Sequence, residues 1–109
     1  MKVHDTRDER GQITGFEVSN ALLTRRATSR IVKLIPGAQI VRERAPFSSS
    51  APDDFCEFTV GGKTFHVIEP FGDNSRYWLT SVPPEESEEL VQVRAAFQQH
   101  RVFFGLFGG

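Results

Sequence analysis

FCEFTVGGKTFHVIE, residues 55–69, consists of two alternating runs that meet at a pair of glycines. Side chains of a strand alternate between the two faces of a sheet, and Gly-Gly supplies the positive φ that a tight hairpin requires. A two-residue loop at Gly61-Gly62 sets Phe58 opposite Phe65 and Cys56 opposite Val67. A four-residue loop moves the partners but keeps the same residues on the same face. Either even loop gathers Cys56, Phe58, Val60, Phe65 and Val67 on one apolar face, whereas an odd loop would mix His66 and Ile68 into it. The even hairpin is therefore the expected nucleus of an antiparallel sheet.

Working towards the C-terminus, Phe71-Gly72-Asp73-Asn74 has the chemistry of a second turn, because Gly tolerates positive φ and Asp and Asn bond their own backbone. Folding about its centre places Glu69 across from Arg76 and Val67 across from Trp78. Trp78 then joins the core, and Phe55, His66, Ile68, Tyr77 and Leu79 share the second face. Pro83-Pro84 ends the sheet and opens a helix whose first residues, Glu85, Glu86, Glu88 and Glu89, complement its N-terminal dipole. Leu90, Val93 and Phe97, continued by Phe104, make its apolar stripe. The tail 103–109, FFGLFGG, is apolar and too interrupted by glycine to continue a good helix.

Towards the N-terminus, Ala38–Arg44 reads as a strand, and Pro36-Gly37 ends a helix running from Ala21 to Ile35. Leu23, Ala27, Ile31, Leu34 and Ile35 fall in one stripe at helical spacing, with Ser19 or Asn20 as the N-cap. Gln12–Val18 is a short strand. Residues 1–12, alternating in charge with Val3 as their only apolar anchor, are expected to be a flexible arm or a loose hairpin at Arg10-Gly11. These elements give an α+β domain over residues 13–102: a mostly antiparallel sheet of four to five strands with two helices, in the order β-α-β-β-β-β-α.

Composition bounds the function. With 109 residues, 39% hydrophobic and 25% charged, the chain is one domain with an ordinary core. Ten phenylalanines against one tyrosine and one tryptophan mark the aromatic content as core material first. A single cysteine, Cys56, excludes an internal disulfide and a Cys-rich zinc site. His4, His66 and His100 have no metal-ligand spacing, and no metal or cofactor is expected. No apolar run is long enough to span a membrane, and the first twelve residues are not signal-like, so a cytoplasmic location is expected and a membrane partner is not. Walker, G-x-G-x-x-G and G-x-S-x-G patterns are absent. Cys56 and His66 project from opposite faces of the hairpin and cannot form a thiol–imidazole pair. The chain is not expected to be an enzyme.

Two sets of residues are candidates for binding. The turn offers Glu69, Asp73, Asn74, Arg76 and Tyr77, two carboxylates, a guanidinium and a ring on a loop carried by a sheet. The first helix offers Arg25, Arg26, Arg30 and Lys33; Arg26, Arg30 and Lys33 stand at i, i+4 and i+7, a spacing that tracks phosphates along one face. Residues 20–44 hold six basic side chains against Glu43, a local balance of +5, and residues 82–100 hold those four glutamates against Arg94, a balance of −3. The helix–strands–helix order resembles that of double-stranded-RNA-binding domains, but the glutamates stand where that family needs lysines and exclude it. The expected function is a small non-catalytic binding or adaptor domain of bacterial type. Nucleic-acid binding through helix 21–35 is the alternative. A sheet with two apolar faces and two helices would leave one face bare, which predicts a homodimer, or another protein, on that face or on the tail.

Overall fold

A computed structural model describes residues 2–19, 24–43, 54–69 and 76–100. The described residues form an α+β fold with strands β1 (Val3–Arg7), β2 (Ile13–Ser19), β3 (Ala38–Glu43), β4 (Asp54–Val60), β5 (Lys63–Ile68) and β6 (Arg76–Val82) and helices α1 (Arg25–Lys33) and α2 (Glu88–Gln99). The six strands make one antiparallel sheet in the order β1-β2-β6-β5-β4-β3. α1 packs on β3 and β4, α2 packs on β1 and β2, and the two helices touch each other, so both cover the same face.

The hairpin of residues 55–69 has the expected register. Phe58 pairs with Phe65, Cys56 with Val67 and Val60 with Lys63. Gly61 and Gly62 have φ of 57° and 82°, the left-handed pair that a two-residue turn demands. Cys56, Phe58, Val60, Phe65 and Val67 are all buried, and the Phe58 and Phe65 rings stack with centroids 5.4 Å apart. Leu90, Val93 and Phe97 are buried as their spacing predicts, and Phe97 meets Phe16 of β2 edge to face at 5.5 Å.

The second hairpin departs from expectation by one residue. Ile68, not Val67, faces Trp78, and Val67 faces Leu79. Because side chains alternate, this single step moves the whole of β6 to the opposite face. Tyr77, Leu79 and Ser81 are buried under the helices, while Trp78, expected in the core, is 45% exposed on the other side. The sheet consequently has one apolar face, not two, and the premise from which a homodimer was expected does not hold in that form. The turn itself, residues 70–75, lies outside the described residues, as does the tail 103–109.

Two further expectations change. Residues 3–7 take the hairpin alternative rather than the arm: β1 pairs with β2 at the sheet edge, around a turn that includes Arg10-Gly11, which raises the strand count to six. The hairpin is closed by Asp8, whose carboxylate accepts from the backbone N–H groups of Arg10 and Gln12, both at 2.9 Å. Asp5 is then clamped to α2 by Arg94, at 2.5 Å and 3.1 Å through two nitrogens. α1 begins later than its apolar stripe implied, with Thr24 rather than Ser19 or Asn20 as N-cap; its side chain accepts from the Ala27 N–H. Its buried residues are Thr28, Ile31 and Val32, followed by Ile35, whereas Leu34 is the C-cap and is 77% exposed.

Two glutamates just before α2 tie the start of the helix to the sheet. Lys63 donates to Glu85 at 2.9 Å, a bond that raises the lysine pKa above its ordinary value. Glu86 accepts from the backbone N–H of Ile13 at 3.1 Å, and Ser87 caps the helix by accepting from Leu90 N–H. Ser87, rather than Pro83 or Pro84, therefore sets where α2 starts. Pairing at both edges shifts register: opposite Thr6 and Arg7 of β1 the extra residue is Thr14 of β2, and between Ile40 and Arg42 it is Val41 of the outer strand β3. Such bulges make an edge a poor template for adding another strand.

Candidate functional site

The face of the sheet opposite the helices is built by alternation. In β1, Val3 and Asp5 turn toward the helices, so His4 and Thr6 turn away; pairing carries this across the sheet. One row runs His4, Glu17, Trp78, Ile68, and the next runs Thr6, Gly15, Thr80, His66, Glu57, Arg42. Among the residues whose side chains are described, Trp78 is the large aromatic exposed here, on a strand with at least two strands on either side of it.

Two hollows adjoin on this face and share Glu17. One, of about 590 Å³, is lined by Lys2, His4, Glu17, Val18, Ser19 and Arg76. The other, of about 120 Å³, lies between Thr6, Gly15, Glu17, Trp78, Leu79 and Thr80. Gly15 makes the smaller hollow: a Cβ there would collide with the carbonyl oxygen of Leu79, so a side chain is excluded by the close backbone. One ion pair lines the larger hollow, and a second group of polar side chains stands further along the face. Arg76 reaches Glu17 at 2.6 Å, and Glu57 holds both Arg42 at 3.2 Å and His66 at 3.4 Å. The result is an exposed indole flanked by paired charges of both signs.

The five turn candidates are divided between the two faces. Arg76 belongs to the open face. Tyr77 is buried beneath the helices, and Asp73 and Asn74 lie outside the described residues. Glu69 does not pair with Arg76; it takes Arg25 of α1 at 2.9 Å. Glu69 and Arg25, drawn from the two different candidate sets, thus meet beside Tyr77, whose phenol is held above its ordinary pKa by burial and then by the Glu69 charge. This cluster fastens the N-terminal end of α1 to the sheet. Of the basic set, Arg26, Arg30 and Lys33 are exposed along α1 as their spacing predicts, and Arg25 is engaged by Glu69.

Lys2, His4, Gly15, Glu17 and Thr80 were not candidates from the sequence. The available signals were the alternation of residues 2–7 and a glycine inside a strand-like run; neither could be placed without knowing that β2 lies beside β6. Cys56 is fully buried on the helix side and His66 stands on the open side, so the two do face apart. Among the described residues no three His, Cys, Asp or Glu side chains converge as metal ligands would, and no helix is long and apolar enough to cross a membrane. The chain matches none of the protein-family models, curated proteins or solved structures with which it was compared.

Proposed function

We propose that this chain is a small non-catalytic binding domain, and that a protein partner seats on the open face of its sheet around Trp78. The observation that carries this reading is the exposure of that indole in a sheet where Phe16, Phe58, Phe65 and Tyr77 are buried under the helices. An aromatic anchor beside a small hollow, surrounded by paired charges, is the arrangement that concentrates binding energy in protein interfaces. A second copy of the chain is the first partner to test, and another protein the second.

Trp78 is the single tryptophan, so its emission reports on this face alone. Light scattering after size exclusion over about a tenfold dilution, with emission followed in parallel, distinguishes the cases. Self-association through the face gives a mass that falls on dilution together with a red shift of emission, and Trp78→Ala gives a monomer. A monomer with constant emission removes the second copy. A pull-down with the native chain and with Trp78→Ala as its matched control then tests another protein, and equal capture by both would defeat the reading.

A specific observation favours one alternative: Arg26, Arg30 and Lys33 form an exposed basic line on α1. If it tracks phosphates, an electrophoretic shift with duplex or single-stranded probes falls steeply with salt and weakens in the Arg26→Ala, Arg30→Ala double variant. Absence of any shift at low salt would dismiss nucleic acid.

A further inference from the structure

On the open face, register places Ser19 beside Arg76, then His4, Glu17 and Trp78, then Thr6, Gly15 and Thr80, in three successive rows. Rows on one face are about 7 Å apart, at roughly 3.4 Å per residue. The two hollows that share Glu17 therefore lie one after the other along β1 and β2. They differ in chemistry, and the difference describes what fits them.

The smaller hollow suits an apolar group. Its floor is the backbone of Gly15, where no side chain stands, and the Trp78 indole forms part of its wall. Its volume of about 120 Å³ is roughly that of four water molecules at ~30 Å³ each, room for one aliphatic or aromatic side chain. The larger hollow suits an anion. Lys2, His4 and Arg76 line it against one carboxylate, Glu17, which Arg76 already meets at 2.6 Å. A guanidinium carries five N–H donors, so its bond to Glu17 and a bond to an incoming oxygen are compatible. Lys2 and His4 stand exposed beside it.

Resting on the reading of this face as the binding surface, we propose that the partner presents to it an extended segment bearing an apolar side chain and, two residues away, an Asp or Glu carboxylate. Side chains i and i+2 of an extended segment share a face about 7 Å apart, which is the spacing of the rows. Strands laid over a sheet run within about 30° of its own strands, so the segment follows β1 and β2. Its apolar residue enters the hollow beside Trp78, and its carboxylate, above the row of Glu17, reaches Lys2, His4 and Arg76. A basic residue in that position would meet Lys2 and Arg76 instead, which gives the site a preference by sign of charge.

The test is an amide NMR titration of the isotope-labelled full chain with three blocked tripeptides, acetyl-Phe-Ser-Asp-amide and its Asn and Lys counterparts, each also in reversed order. The Asp peptide, in one order or the other, should shift the Thr6, Gly15 and Glu17 amides and the Trp78 indole N–H. The Asn peptide should bind about two- to fivefold more weakly, the scale of an exposed ion pair, and the Lys peptide more weakly still. Lys2→Glu should bring the Asp peptide down to the level of the Asn peptide and leave the Asn peptide unchanged. Equal binding of the three peptides, no shift on this face, or the same shifts from sodium acetate alone would overturn the proposal. The reading beneath it fails separately. A partner whose capture is lost in Trp78→Ala but kept in Lys2→Glu would overturn the acidic segment and leave Trp78 as the anchor, whereas equal capture by the native and Trp78→Ala chains removes the surface itself.

Discussion

Tyr77 and Trp78 are adjacent, both aromatic and of similar size, yet one is buried and the other is not. Alternation allows only one of them to face the helices, and the register of β6 selects Tyr77. Trp78→Ala should therefore cost about 1 kcal/mol, since roughly half of the side chain already meets water. Phe97→Ala should cost about 3–5 kcal/mol, because it empties the contact between α2 and β2. Denaturant melts of the two variants check the contrast, and equal losses would contradict the assigned faces. Tyr77 adds a pH dependence. Its folded pKa is raised above the ordinary value near 10, so its contribution to stability is complete below that pH and is lost as pH rises through the native pKa. The single tyrosine should titrate at higher pH in the native chain than in denaturant, by ultraviolet difference absorbance, and Tyr77→Phe should flatten the alkaline loss of stability.

α1 is only nine residues long and carries no acidic residue in its first turn, so its N-terminus depends on the cap. The Thr24 side chain accepts from the Ala27 N–H at 3.0 Å, and its carbonyl accepts from the hydroxyl of Thr28, which is fully buried. Thr24→Ala should cost about 1 kcal/mol, and Thr24→Ser should recover most of it; a melt of the three proteins measures both. Element by element, legibility followed locality. The β4–β5 hairpin could be read because alternation and Gly61-Gly62 lie within one short stretch. The stripe of α2 could be read because Leu90, Val93 and Phe97 repeat at helical spacing. For α1 the spacing was right for Ile31 and Ile35 but not for Leu34, because the buried arc is centred on Thr28, Ile31, Val32 and Ile35 and leaves Leu34 on the helix flank. β1 stays between an arm and a hairpin in the sequence because its inward residues, Val3 and Asp5, include a carboxylate that looks solvent-facing until Arg94 is brought beside it.

Across the whole molecule the sheet order places β6 and β5 in the middle and β1 and β3 at the edges. Amide exchange should be slowest at Phe65, Val67, Tyr77 and Leu79, whose strands are paired on both sides, and faster throughout β1 and β3. Protection of β1 equal to that of β6 would contradict this order. The sequence by itself determined the α+β class, the face of the β4–β5 hairpin and the buried stripe of α2, because each rests on a period within one element. Tertiary structure alone decided that β2 lies beside β6, that Glu69 meets Arg25 while Arg76 meets Glu17, and that Trp78 faces outward. The outward facing of Trp78 follows from the register between β5 and β6, where a step of one residue exchanges the two faces. This register puts Tyr77 and Leu79 under the two helices, while the other outcomes join residues far apart in the chain.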